Sequence, residues 1–201
     1  MILFVCTGNI CRSAMAEGLL AYDLAREGSD LGVASAGTHA MTGGPATSHS
    51  VNVLAEHGID ISGHRSSLLT DYLIAESDLI VAMTRVHESA VAALDQDARA
   101  RTFLAGEVPR LGGTVGPLQP GMALREWVAL LHGARGGHMT AGRTADEVGD
   151  PYGMDRSIYE ALHVRLGGMS SAMSRRLPPG WGPAGGPPDS PGGPVRRLCP
   201  Q

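Results

Sequence analysis

Lysine is absent from this 201-residue chain; all sixteen of its basic positions are arginine. A nucleotide-binding loop of the G-x-x-x-x-G-K-[ST] type is thereby excluded, because the lysine that contacts phosphate has no counterpart. Aromatic residues are scarce at 4%, so a core must be built mainly from aliphatic side chains. Positive charge is also in short supply. Sixteen arginines face twenty carboxylates, a formal net charge of −4, and no basic face of the kind that attracts nucleic acid or an anionic membrane is expected. Cysteine occurs three times, as Cys6, Cys11 and Cys199. That is no disulfide framework, and free thiols point to a reducing, cytoplasmic setting. The apolar start, Met1 to Val5, is much shorter than a signal h-region or a membrane span.

What is present is a 43% hydrophobic composition, enough for one globular unit with a real core. Its partners are expected to be proteins or small molecules. Met1 to Val5 reads as a strand buried on both faces of a parallel sheet. From Ser13 the period becomes helical, with Ala16, Leu20 and Leu24 on one stripe, Met15 and Leu19 beside it, and Gly28 as a stop. Residues 31–36, ending at Gly37, give a second strand, and Val51, Leu54 and Ala55 a second helix closed by Gly58. Leu79 to Ala82 is a third buried strand, Val86 to Leu94 a helix, and Thr102 to Leu104 a fourth strand. Strand alternating with helix predicts an α/β layered domain with right-handed crossovers. Ligands in such sheets bind at the carboxyl ends of the strands, which is where Cys6 falls.

Residues 105–149 are Gly-rich and interrupted by Pro109, Pro117 and Pro120, although Leu124, Trp127, Val128 and Leu131 fit a helical face. A last helix carries Ile158, Leu162, Leu166, Met169 and Met173 as a core stripe. From Pro178 onward, 14 of 24 residues are Pro or Gly, a composition unable to bury a core. The expected organisation is one domain over residues 1–177, with 105–149 as an insert, and a disordered tail over 178–201.

Directly after the first strand the chain reads Val5-Cys6-Thr7-Gly8-Asn9-Ile10-Cys11-Arg12-Ser13. A cysteine, five residues, an arginine and a serine between strand and helix are the parts needed to hold a phosphate dianion against a sulfur nucleophile. The amides of Thr7, Gly8, Asn9, Ile10, Cys11 and Arg12 can turn inward as a nest. The N-terminus of the next helix adds partial positive charge, and Arg12 adds a full one. Ser13 can donate its hydroxyl to the Cys6 thiolate. A phosphate needs the same donors: the Arg12 fork grips two oxygens and the amides satisfy the rest. Gly8 and Asn9 suit a loop that needs left-handed backbone. A bare C-x5-R match reads equally well as a buried cysteine and a surface arginine. The strand before, the helix after, the Gly-Asn within and the serine behind favour the phosphate loop.

Breaking a phosphate ester requires protonation of the leaving oxygen, and a phenolate takes up its proton near about pH 10. A second group on a separate loop is therefore expected, and Asp150-Pro151-Tyr152-Gly153 offers it: Asp150 as general acid, Tyr152 as an aromatic wall beside a substrate ring. The chemistry runs through a cysteinyl phosphate, with Asp150 first giving a proton to the leaving group and then taking one from water. It calls for no metal and no cofactor.

With these residues in place the sequence resembles the low-molecular-weight protein tyrosine phosphatases. The likeness covers roughly residues 1–104 and 148–175, through Val5 to Glu17, Ser35-Ala36-Gly37-Thr38, Gly58 to Arg65, Asp78-Leu79-Ile80 and Asp150-Pro151-Tyr152. It implies a four-stranded parallel sheet flanked by helices on both sides, three layers in all, with the phosphate-binding loop after the first strand. By carry-over Cys6 is the nucleophile, Arg12 the phosphate-binding arginine and Asp150 the general acid. Asn9, Ser13 and His64 form the polar network that shapes the loop and supports the thiolate. Cys11 matches the second loop cysteine of the family, which can form a reversible disulfide with the nucleophile; read without the resemblance it is a packing residue. Ala14, Ser67, Leu68, Gly153 and Met41 depart from the usual pattern, the last two near aromatic walls of the groove, and the 105–149 segment is longer than usual.

The resemblance implies a phosphotyrosine-containing protein as substrate, with autophosphorylating tyrosine kinases as bacterial-type targets. Three other readings share the motif. Arsenate reductases use the same cradle but need further cysteines to resolve the first adduct, and beyond Cys11 only Cys199 is left. Relatives acting on phosphoarginine carry threonine at the position of Ile10, where isoleucine favours a flat phenyl ring over a guanidinium. A silent phosphotyrosine-binding module would have lost one of the catalytic residue types, and all are intact.

Overall fold

The first strand is apolar at every position because both of its faces are covered. In the computed structural model, which describes residues 1–136 and 143–177, the order is β1 (Ile2–Cys6), α1 (Arg12–Arg26), β2 (Val33–Gly37), α2 (Ser48–Ala55), α3 (Asp71–Ala75), β3 (Leu79–Ala82), α4 (Arg85–Leu94), β4 (Thr102–Leu104), α5 (Glu107–Val115), α6 (Leu124–Ala134) and α7 (Arg156–Ser174). The strands form one four-stranded sheet in the order β2-β1-β3-β4. All of its pairings are parallel, with Val5 level with Ala36 on one side and Ala82 on the other. The three-layer α/β architecture expected from the pattern is thus present.

Successive side chains of β1 point to opposite faces. Ile2, Phe4 and Cys6 enter the larger core with residues of α1, α2, α5, α6 and α7, while Leu3 and Val5 enter the smaller one with Ile74 of α3 and Val91 of α4. The order 2-1-3-4 sends the chain to opposite sides of the sheet from β1 and β3. That opens a crevice at their carboxyl ends, and the segment between β1 and α1 occupies it. Gly28 and Gly58, expected as helix stops, both adopt left-handed backbone with φ of 70° and 77°, as helix C-termini require.

Two differences from the sequence reading bear on the core. Ile158 does not belong to the core stripe of α7: it is 43% exposed while Tyr159 is 2% exposed. The stripe begins one residue later, where the tyrosine ring enters the core, and Met169 packs only at its margin. The interrupted segment after β4 holds a further helix, α5, despite Pro109. The proline is the third residue of that helix, where the amide it lacks would have had no intrahelical acceptor. Val108 and Leu111 of α5 and Leu124, Trp127, Val128 and Leu131 of α6 join the larger core. At the end of α6, Arg135 is buried with Glu107 (2.9 Å), donates to the Thr102 carbonyl (2.7 Å) and lies 4.2 Å from the Phe103 ring centre. A pair this deep gives little net stability, but removing either partner strands a buried charge, so it fixes where α5 and α6 meet β4. The remainder of the 105–149 segment (137–142) and the tail expected over 178–201, with Cys199, lie outside the described residues.

Candidate active site

The loop from Cys6 to Arg12 is held from outside by its carbonyls. Thr38 N donates to Cys6 O (2.9 Å), His39 N to Thr7 O (2.9 Å), Thr47 N to Ile10 O (2.9 Å) and Met15 N to Cys11 O (2.8 Å), and His64 Nε2 lies 2.7 Å from Asn9 O. In a trans peptide the next N–H points opposite the carbonyl. Pinning these carbonyls outward therefore turns the following amides toward the interior of the loop, an anion nest built by the surroundings as much as by the loop itself. Asn9 N–H reaches the sulfur of Cys6 at 3.2 Å.

Asn9 carries the left-handed conformation, with φ 54°. The expectation that Gly8 shares it is corrected: Gly8 is not among the positive-φ residues, because one αL residue suffices to reverse the chain here. The buried Asn9 side chain is fully committed. Its Oδ1 accepts from Ser67 N (2.8 Å), which sets the amide orientation, and its Nδ2 donates to Ser35 Oγ (2.7 Å) and Ser13 Oγ (2.9 Å). Ser13 Oγ, with a donor already on it, lies 2.9 Å from Cys6 Sγ and 3.5 Å from the Ala36 carbonyl, and its own hydrogen can turn to either. Ser35 in turn donates to Glu17 (2.5 Å), and Glu17 lies 3.6 Å from His64 Nδ1. Asn9, Ser13 and His64 thus meet around the loop, joined by Ser35 and Glu17, which the sequence reading did not single out. Ser67 contributes its backbone, so its side-chain identity is immaterial to that bond.

Arg12, only 4% exposed, lies across the mouth of the loop. Its Nη2 pairs with Asp150 Oδ2 at 2.7 Å and donates to Thr7 Oγ1 at 3.3 Å, and its Nη1 reaches Val148 O at 3.4 Å. Among the described residues its Nε is buried with no partner, leaving one prong of the fork for an oxyanion. Asp150 arrives on a segment tied to the sheet: Val148 N donates to Met83 O at the end of β3 (2.7 Å), and Asp146 pairs with Arg110 of α5 (2.8 Å). Arg110 and its neighbours hold the Asp146 carboxyl below the usual carboxylate range against the opposing effect of burial. The segment after β4 therefore helps to place Asp150.

Cys6, Arg12 and Asp150 line one cavity of about 470 Å³ together with Thr7, Gly8, Ile10, Cys11, His39, Met41 and Tyr152. Met41 is 86% and Tyr152 66% exposed, so both stand at the rim. The Cys11 thiol lies 3.5 Å from Tyr159 Oη and 3.6 Å from Thr47 Oγ1. Burial pushes this thiol up, and Cys6 and Cys11 are both free among the described residues. His87 of α4 escaped the sequence reading. Thr84-x-x-His87 has the spacing of a helix-capping pair, but nothing local announces that the ring also touches Thr7.

Gly37 shows how tightly the loop is backed. A Cβ there would lie 2.5 Å from Thr7 O and 2.9 Å from both Asn9 N and Ala40 Cβ. Two of these are backbone atoms of the loop, so the loop itself must move. Gly37→Ala is expected to cost about 1–3 kcal/mol of stability, the scale of overpacking, and to weaken vanadate binding with it. Thermal unfolding and a vanadate titration check both; an unchanged vanadate affinity would mean the loop tolerates the shift.

A nest of amides at the carboxyl end of β1, with a thiol at its base and an arginine over it, places the chain among the α/β phosphatases with a phosphate-binding loop. The family model for low molecular weight phosphotyrosine protein phosphatase matches residues 1–107, and the chain belongs to that family. A protein-arginine-phosphatase of Bacillus subtilis is 33% identical over 176 residues, 88% of this chain and 95% of that protein. A probable low molecular weight protein-tyrosine-phosphatase, EpsP, of Ralstonia nicotianae is 41% identical over 107 residues, 53% of this chain and 71% of that protein. The crystal structure of a low molecular weight protein tyrosine phosphatase from T. tengcongensis superposes with a TM-score of 0.66 at 31% identity, covering 88% of this chain and 98% of that one. Among the described residues no helix is long and apolar enough to cross a membrane.

Proposed function

We propose that this protein hydrolyses phosphotyrosine in protein substrates through a cysteinyl-phosphate intermediate, with Cys6 as nucleophile, Arg12 as phosphate clamp and Asp150 as general acid and base. The observation that carries the reading is that Asp150, remote in sequence, meets Cys6 and Arg12 of one loop at a single cavity. The Cys6 sulfur attacks phosphorus; the bond to the leaving phenolic oxygen breaks, and that oxygen takes the proton from Asp150. Water then attacks the S–P bond at phosphorus, Asp150 takes its proton, and the thiolate leaves with its electron pair. The inward amides of Thr7, Gly8, Asn9, Ile10, Cys11 and Arg12 and the free prong of the Arg12 fork stabilise the equatorial oxygens, where charge resides through the transfer. Ser13 holds the sulfur as it leaves, and His64 fixes the loop through Asn9.

Ile10 supports the aryl choice. Its branched apolar side chain lines the cavity and packs on the core, a surface suited to a phenyl ring. Against a phosphoguanidinium it would leave buried N–H donors unpaired, at about 1–3 kcal/mol each. Tyr152 at the rim offers the second wall. The Bacillus subtilis relative keeps phosphoarginine as the competing substrate. Matched phosphotyrosine and phosphoarginine peptides decide between them: kcat/KM is expected to favour phosphotyrosine by at least about tenfold in the wild type, the scale of one unpaired donor, and Ile10→Thr is expected to narrow that ratio. Preference for phosphoarginine in the wild type refutes the assignment.

A further inference from the structure

His87 is the first buried residue of α4, 3% exposed, and it bridges two loops. Thr84 N–H donates to its Nδ1 at 3.1 Å, and Thr84 Oγ1 lies 2.8 Å from the same atom. An Nδ1 that accepts from a backbone amide carries a lone pair, so a neutral ring holds its hydrogen on Nε2. That Nε2 is 2.9 Å from Thr7 Oγ1, which also accepts from Arg12 Nη2 at 3.3 Å. A hydroxyl has two lone pairs and one hydrogen. With both lone pairs occupied, the Thr7 hydrogen has only the direction away from Arg12 and His87, and Thr7 lines the cavity beside Cys6.

We propose that His87 is a positioning residue: by donating to Thr7 Oγ1 it aims the Thr7 hydroxyl hydrogen at a phosphoryl oxygen held in the loop, adding a side-chain donor to the backbone amides. The proposal rests on the phosphatase reading of the same cavity. Burial, then the neighbouring Arg12, pushes His87 down to about 4, so the ring is neutral at physiological pH. Neutrality is what the geometry needs. An imidazolium would set an Nδ1–H against the Thr84 amide, donor to donor, and a second cation beside Arg12. Asp150, whose charge opposes that downward shift, is already paired with Arg12.

Dissociation constants for orthovanadate test this without requiring turnover. Thr7→Val and His87→Phe are each expected to weaken vanadate about tenfold, the scale of one hydrogen bond to a charged group. The double variant is expected to be no weaker than either alone, because His87 acts through Thr7. Thr7→Ser should bind close to wild type, and His87→Gln, with a donor near the place of Nε2, should recover most of the loss. Wild-type affinity in Thr7→Val overturns the proposal, and so do losses that multiply in the double variant, which would make His87 a packing residue. Should His87→Phe fail to fold, His87→Leu, which also lacks the donor, gives the same comparison in the wild-type and Thr7→Val backgrounds. Failure of the phosphatase reading looks different: the wild type would then turn over no aryl phosphate, whatever its vanadate affinity.

Discussion

Cys6→Ser is expected to lower kcat on phosphotyrosine peptides by at least about 10⁴-fold, the order seen when a covalent nucleophile is removed, while phosphate binding survives. The two halves of this result have separate causes. A serine hydroxyl in the same place is far harder to ionise than a thiol, and neither Asn9 N nor Ser13 Oγ, the groups nearest the sulfur, is a base that can take its proton. The cradle itself does not depend on the sulfur: its carbonyls are pinned by Thr38, His39, Thr47 and His64, and Arg12 is held at Thr7 and Val148. Steady-state kinetics and calorimetric titration of phosphate check the pair. Substantial residual turnover would remove Cys6 from the reaction; loss of phosphate binding would mean the sulfur shapes the loop. The same variant is a means of retaining phosphorylated substrates for identification.

Asp150→Ala is expected to reduce kcat about 10²- to 10⁴-fold on substrates with a poor leaving group such as tyrosine, the usual scale of general acid–base catalysis. For an aryl phosphate whose phenol is strongly acidic, the loss in the first step should be much smaller, because a good leaving group departs without a proton. The sign of the binding effect is also set by the geometry. Asp150 Oδ2 now occupies Arg12 Nη2 at 2.7 Å, and a phosphate must share or displace that contact. Removing the carboxylate therefore leaves phosphate affinity unchanged or improved. A comparison of leaving groups, with phosphate inhibition measured alongside, checks this. Near-full activity of Asp150→Ala toward phosphotyrosine would assign the acid elsewhere.

The position of Asp150 is where the long segment after β4 reaches the cavity. Gly106 N donates to Asp146 O (2.9 Å), Arg110 pairs with the Asp146 side chain, and Val148 N reaches Met83 O two residues before Asp150. A Cβ at Gly106 would lie 2.6 Å from Asp146 Cα, so this close approach requires glycine. The chain after α6 is thus brought back onto the sheet next to the loop that follows β1. The Arg135–Glu107 pair under α5 and α6 keeps the supports of that return in register with β4.

Read by itself, the sequence determined what depends on neighbours along the chain. The strand-helix alternation is written in the apolar period of contiguous residues, and the phosphate loop is a nine-residue segment whose parts act on one another directly. Asp150 stood out as an Asp-Pro turn for the same local reason. What only the tertiary structure decided are contacts that exist because the order β2-β1-β3-β4 brings distant segments to one crevice: Arg12 on Asp150, Ser35 and Ser67 on Asn9, His87 on Thr7. The core role of Tyr159 in place of Ile158, and the helix through Pro109, were decided there too. A helical period tells that one face is buried but not the rotation at which the first turn meets its neighbours, and a proline shows where a chain can break, not whether the amide it lacks was ever needed.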